Sequence, residues 1–508
     1  MTRYLPVFAL LIILLLLSAC VTRQPTSPLL DHQKKVLPPK ADVSTLISPA
    51  LLQEDITLLQ KKILQIHPQP FIQVTESAFS AQFAALKQAI NYPLSKMEFY
   101  LQVAPVVAQL GDIHSYIQLP SKTNEINSNS QHGIFPLAIL VEQNQVFVAA
   151  DLSDTPLIPA GAEIISINQA PIGYLLKTMR RLTARETEAG QNRRIQLDFP
   201  WLLAAMGHLS SEYSIGYRWQ QKMYQQSLKA IVIAAKKEPV VTAIESYYGY
   251  SQLTDSTALL WLNDFNENPE KFDDYLTQQF ALMQQDQVDN LIIDVRYNQG
   301  GLSENLKSLL SRMTDRPIRW ANQGVLKLSK ELKKHYVRKT KARREDKYGW
   351  GLQWLPLEWT DYLQHAIYWG ERGELIPLSL EQVNPAENYR PSNIWVLTNG
   401  FCYSACSLFV VNVNHHQLAK TVGEETGSRA NYQFAYPIEM TLPHSGLSLV
   451  LPAMRLEFNA VNNESANRPQ LVIQRTVEQI TQRIDPVLNH ALREAEGVIL
   501  SESGKTSK

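Results

Sequence analysis

A layered α/β fold is what this sequence predicts, and three patterns carry the expectation. From residue 258 onward, short apolar runs of buried-strand type (258–262, 290–295, 394–398 and 421–423) alternate with segments of helical periodicity at 272–284, 303–313 and 405–415. That alternation builds a sheet covered by helices. Ahead of it, residues 49–110 repeat apolar side chains at spacings of three and four, as in Leu51, Ile56, Leu59, Ile63 and Leu64, which predicts helices. Between the two, residues 133–182 change to short strands at 135–141, 146–150 and 163–167, followed by a helix at 175–182.

Taken in order, the chain opens with Arg3, an apolar run from Leu5 to Leu17, and then Ser18-Ala19-Cys20. The run falls short of the roughly 20 residues a bilayer crossing needs, and the small residues before Cys20 suit a cleavage site. Residues 1–19 therefore read as a signal peptide. Leu17-Ser18-Ala19-Cys20 resembles the bacterial lipobox, which implies acylation of Cys20 and a protein anchored to a membrane of the cell envelope, facing the periplasm. Val21 stands where an aspartate would hold such a protein back, which resembles outer-membrane sorting.

Residues 20–45, rich in Thr, Gln, Pro, Ser and Lys without an apolar period, read as a flexible tether. An N-terminal helical region is expected over 46–125, broken at His67-Pro68-Gln69-Pro70 because proline disfavours helix in the residue before it. Over 130–185 the run Pro159 to Asn168 resembles the turn and strand of a PDZ domain, a module that binds C-terminal peptides by strand addition. A connecting region of helix and strand follows over 186–250, then an α/β core over 251–485 and a disordered polar tail over 498–508.

Composition narrows the function. Lys and Arg number 48 against 48 Asp and Glu, for a net charge of zero, so nothing global points to nucleic acid. The basic run from Lys327 to Lys347 reads as a solvated face. No His-Glu-x-x-His or paired Cys-x-x-Cys spacing occurs, so neither a metal nor a cofactor is expected. Of the 3 cysteines, Cys20 is assigned to lipid. Cys402 and Cys406 bracket Ser404 and read as small packing residues, with a local disulfide open to them in an oxidising compartment. Nothing specifies an oligomeric state.

Two segments could carry chemistry. Asp294-Val-Arg-Tyr-Asn298-Gln-Gly300-Gly301 closes a strand and leads to a helix. It lacks the Lys-Ser/Thr of a P-loop and the Gly-x-Gly-x-x-Gly spacing, so it is not a nucleotide loop. Paired glycines there suit either a plain turn or a backbone amide presented to an oxyanion. The second segment, Ile394 to Ser407, reads as strand, turn and helix, with Ser404 at the helix start, where free amides and the helix dipole favour developing negative charge. The same position suits an N-cap serine. Ser407, deeper in the helix, is the weaker candidate.

In order along residues 52–473, His67-Pro68, Leu110-Gly-Asp-Ile-His114-Ser, the PDZ-like segment, Asp294-x-Arg-x-Asn-x-Gly-Gly, Val396-Leu-Thr-Asn with Tyr403-Ser404, and Val422-Gly-Glu-Glu-Thr-Gly427 resemble the tail-specific, or C-terminal processing, serine peptidases. The resemblance implies a ClpP/crotonase-like catalytic domain, a protein or peptide substrate, and Ser404 as nucleophile. It also implies an oxyanion hole from the Gly300-Gly301 pair and Ala405. Many members pair the serine with a lysine, but that position here is Arg429, which has no acceptor lone pair and stays protonated. The tricorn-core-like branch, with serine, histidine and glutamate, fits better. His114 matches its histidine and has the chemistry of a general base near neutral pH. Glu464 is the chosen glutamate, with Glu457 as the alternative, and structural roles are expected for Glu424 and Glu425. A catalytically idle member that binds peptides or hydrophobic ligands is the rival reading.

Overall fold

The computed structural model describes residues 46–120, 133–231, 248–338, 362–458, 466–482 and 484–497. Cys20, Glu464, the tether, the far half of the basic run and the tail lie outside these residues. No helix among the described residues is long and apolar enough to cross a membrane.

The N-terminal region contains α1 (Pro49–Ile66), α2 (Glu76–Ala89) and α3 (Lys96–Ala108). Helix α1 stops where Pro68 forces His67 into extended backbone. Helix α3 starts in a capping box, with Ser95 and Glu98 each satisfying the other's backbone amide. The apolar period from Phe83 to Leu110 is therefore two helices. A short strand, β1 (Tyr116–Ile117), ends this region.

The β-rich segment follows as β2 (Leu137–Glu142), β3 (Gln145–Asp151), β4 (Glu163–Ile167), β5 (Ala170–Pro171), α4 (Ile172–Leu182), α5 (Glu188–Leu203), β6 (Glu212–Trp219) and β7 (Lys222–Lys229). Its sheet runs β2-β3-β4-β6-β7, with β5 on β4. Strands β6 and β7, expected in a connecting region, pair into the same sheet through β4.

The core continues as β8 (Tyr248–Gln252), β9 (Thr257–Leu262), α6 (Pro269–Gln285), β10 (Asn290–Asp294), α7 (Ser303–Met313), β11 (Gln323–Lys327), α8 (Tyr362–Trp369), β12 (Leu375–Pro377), β13 (Asn393–Thr398), α9 (Ala405–His416) and β14 (Lys420–Gly423). It closes with β15 (Tyr432–Thr441), β16 (Ser448–Glu457), β17 (Leu471–Val472), α10 (Val477–Thr481) and α11 (Pro486–Ala495). Six strands form the order β17-β14-β13-β10-β9-β8, parallel except for the β8–β9 pair.

Both faces of this sheet are covered, which explains the unbroken apolar runs of its strands. Leu291 and Ile293 of β10 pack with Phe272 and Phe280 of α6, Leu309 of α7 and Phe409 of α9. Ile292, between them in sequence, faces the other way and packs with Trp395, Val487 and Ala491. The five-stranded sheet of β1, β16, β11 and β12, with β15 on β16, joins the N-terminal region to the core and was not expected. Of the basic run, residues 330–338 are helical. Lys327 is spent on the carbonyls of Leu64 and His67, and Lys333 on those of Tyr368 and Gly370.

Candidate active site

Strands β10 and β13 are parallel neighbours, with Asp294 opposite Leu397. The loops leaving their carboxyl ends therefore meet, the usual place for a ligand in a parallel sheet. Tyr403 N–H donates to the Asn298 carbonyl at 3.2 Å. Asn298 shapes the glycine loop from inside: its Oδ1 accepts from Gly300 N–H at 2.8 Å and its Nδ2 donates to the Leu262 carbonyl at 3.0 Å.

Ser404 sits at the head of α9 with φ 50° and ψ −123°, a conformation that costs a non-glycine residue about 1–3 kcal/mol. It does not cap the helix with its side chain, so the capping reading fails. Its own N–H donates to Ser428 Oγ at 3.1 Å. Ser407 is excluded as nucleophile by its bonds, since its hydroxyl donates to the Cys402 carbonyl at 2.6 Å and accepts from Ser428 N–H at 3.1 Å. Cys402 and Cys406 are joined as a disulfide with Cα atoms 5.2 Å apart, so the expectation of two free packing residues is replaced by a bridge across the Ser404 turn.

The two glycines are required by space. At Gly300, φ +94°, a Cβ would lie 2.8 Å from Ser404 Cβ and 3.0 Å from Ala405 N; at Gly301, φ +143°, it would lie 2.3 Å from the Phe265 carbonyl carbon. Gly300 N–H is already bonded to Asn298. Gly301 N–H and the first-turn amide of Ala405, by contrast, have no partner among the described residues.

His114 follows α3 in a loop held by Asp112, whose Oδ1 accepts from His114 N–H at 2.9 Å. The other oxygen, Oδ2, lies 3.2 Å from His67 Nε2. His67 Nδ1 accepts from Gln69 N–H, so Nε2 carries the proton and donates to Asp112. Burial works against the Asp112 charge, but the bonds from His67 and Ser115 and the nearby imidazoles hold its carboxyl below the usual range. Burial pushes the His114 imidazole down from its usual value, against the pull of Asp112. His114 Nδ1 is enclosed and lacks a hydrogen-bond partner among the described residues.

Glu186, between α4 and α5, belongs to the same place although sequence reasoning passed over it. Its Oε1 accepts from Ile113 N–H at 2.9 Å and its Oε2 from Arg429 N–H at 3.1 Å. It thus ties the residue before His114 to the residue after Ser428. A ring nitrogen of His114 and carboxylate oxygens of Asp112 and Glu186 all lie within 4.8 Å of one another. Cation-like spacing exists here, but both carboxylates already accept from N–H donors. Burial, and behind it the neighbouring Asp112, push the Glu186 carboxyl up to about 7 against the two backbone N–H bonds.

The other acidic candidates are engaged elsewhere. Glu424 pairs with the buried Arg193 at 2.9 Å, and Glu457, at the end of β16, pairs with Arg455. The Arg429 guanidinium lies over the Tyr432 ring and reaches the carbonyls of Gly111 and Arg185. Beside it opens a cleft of about 680 Å³ whose lining includes Gly111, Lys177, Arg180, Arg181 and Arg185.

Residues 256–467 match the model of peptidase family S41. No curated protein matches the chain. Among solved structures, mature CPAF complexed with lactacystin is 13% identical, with 89% of this chain and 98% of that one covered and a TM-score of 0.62. The crystal structure of mature CPAF is 14% identical over 89% and 97% of the two chains, with a TM-score of 0.60. At these identities the likeness is one of fold, and it extends well outside the matched segment. The parallel sheet and the strained serine turn against a glycine pair lie in the segment, residues 256–467, that is similar to peptidase family S41, a family of serine peptidases.

Proposed function

We propose that the protein is a membrane-anchored endopeptidase that cleaves peptide bonds through an acyl-enzyme on Ser404. The observation that carries this reading is the Ser404 turn, held in a strained conformation with Gly300 packed against its Cβ. Ser404 Oγ attacks the carbonyl carbon of the scissile peptide while neutral His114 takes its proton. The carbonyl oxygen becomes an anion held by the N–H groups of Gly301 and Ala405. His114 then gives the proton to the leaving amine, and water activated by the same imidazole releases the acyl group. The sequence assigns the carboxylate that orients His114 to Glu464. Acylated Cys20 would hold the enzyme at the outer membrane, facing the periplasm.

A fluorophosphonate probe tests this reading. Wild type is expected to be labelled covalently and Ser404→Ala to be unlabelled. Equal absence of label in both would favour the catalytically idle binding protein. Radiolabelled palmitate should enter wild type and not Cys20→Ala; incorporation into both would refute the anchor.

A further inference from the structure

Every serine-hydrolase imidazole needs a group that fixes which nitrogen carries the proton. In this fold the enclosed, unpartnered atom is His114 Nδ1. A buried polar atom left without a partner costs about 1–3 kcal/mol, so the arrangement calls for an acceptor close at hand. Resting-state catalytic hydrogen bonds are often long and tighten when substrate binds.

We infer that Glu186 is the carboxylate that orients His114, in place of Glu464; the inference rests on the proposed peptidase reading. Both nearby carboxylates accept two N–H groups, but Asp112 spends one oxygen on the side chain of His67 and the other on the backbone of His114 itself, whereas Glu186 accepts only from the backbone amides of Ile113 and Arg429. Glu186 is held from both sides. Ile113 N–H holds Oε1 and Arg429 N–H holds Oε2, which keeps a carboxylate oxygen within 4.8 Å of a His114 ring nitrogen and ties it to the residue after Ser428, whose hydroxyl in turn holds the Ser404 amide.

The segment that carries Glu186 cannot drift. Thr187 Oγ1 donates to the Thr426 carbonyl at 2.9 Å. Gly190 lies so close to Gly427 that a Cβ on it would sit 2.4 Å from the Gly427 carbonyl oxygen. Tyr403, next to the nucleophile, donates its hydroxyl to the Gly190 carbonyl at 2.5 Å. One turn of chain thus registers the nucleophile, the base and this carboxylate against one another, which is the preorganisation an oriented base requires.

The groups facing the Glu186 carboxyl are His114, Asp112, the Arg429 guanidinium and the Tyr403 phenol. Raised to about 7, Glu186 loses its proton near neutrality and only then accepts from Nδ1–H. Activity should therefore rise with pH through that region.

The experiment compares wild type, Glu186→Gln, Glu186→Asp and Glu464→Gln on a quenched peptide substrate across pH, with fluorophosphonate labelling in parallel. Glu186→Gln is expected to lower kcat by about 10³–10⁴, as loss of the orienting carboxylate does in a serine triad, with KM changed less than about threefold. Its acid limb should move to lower pH, because the Glu186 titration near neutrality is gone and the remaining limb is that of His114, held below its usual value by burial. Glu186→Asp should recover part of the rate, and Glu464→Gln should stay near wild type. If Glu186→Gln does not fold, Glu186→Asp decides by the split alone, a lowered kcat with KM nearly unchanged. Wild-type kcat in the Glu186 variants, an unmoved acid limb in Glu186→Gln, or the loss appearing in Glu464→Gln would overturn the inference. Absence of label on wild type would instead overturn the peptidase reading.

Discussion

Replacing Gly300 by alanine presses one methyl group against the nucleophile, and the structure sizes the effect. The new Cβ would stand 2.8 Å from Ser404 Cβ, 2.9 Å from the Tyr403 carbonyl oxygen and 3.0 Å from Ala405 N. Ordinary contact begins at 3.4 Å, so the serine turn must retreat by about 0.6 Å. The positive φ adds roughly 1–2 kcal/mol and overpacking about 1–3 kcal/mol. The total lies below the stability of a typical domain, about 5–15 kcal/mol, so the variant should still fold. The retreat carries Ala405 N–H away from the developing oxyanion, and loss of one such donor lowers kcat by about 10²–10³. Thermal unfolding and the rate of fluorophosphonate labelling, measured on one preparation, check both parts. A folded Gly300→Ala protein that labels at the wild-type rate would refute the placement of the oxyanion beside Gly301 and Ala405.

Two other changes have defined outcomes. Asp112→Asn removes the charged acceptor shared by His67 and the His114 backbone and should cost about 1.5–3 kcal/mol. Because the Asp112 carboxyl is held below the usual range of an aspartate, about 3.9, this contribution is fully present above that range and disappears as pH falls through the folded value. The gap between wild type and variant in urea unfolding should therefore narrow in acid, and a gap independent of pH would contradict the assignment. For the bridge across the Ser404 turn, the double variant Cys402→Ala/Cys406→Ala should lose about 2 kcal/mol by loop entropy and label more slowly. Reductant should shift the melting of wild type alone, and equal shifts in both proteins would show that the bridge is not what moves.

The parallel core was legible because its strands are buried on both faces and so read as plain apolar runs. Helix α7 falls on the expected residues, 303–313. The β15–β16 hairpin was not legible. Pro437 and Pro452 stand inside its strands, directly opposite one another in the register, and proline within an apolar run argues against a strand. Its partners β1 and β11 lie far away in sequence. Ser404 could be read because the strand-turn-helix that strains it is local. Glu186 could not. It belongs to the polar stretch Ala184-Arg185-Glu186-Thr187, and its partners Ile113 and Arg429 are 73 and 243 residues away.

Strand β1, two residues beyond His114, pairs with β16, which is made after Ser404. The segment matched by the family model, residues 256–467, holds the serine and both glycines but neither His114 nor Glu186. A chain emerging from the ribosome thus delivers His114 and β1 early, Ser404 late, and β16, the strand that docks β1, later still, so the two halves of the candidate site meet only after residue 457 is made.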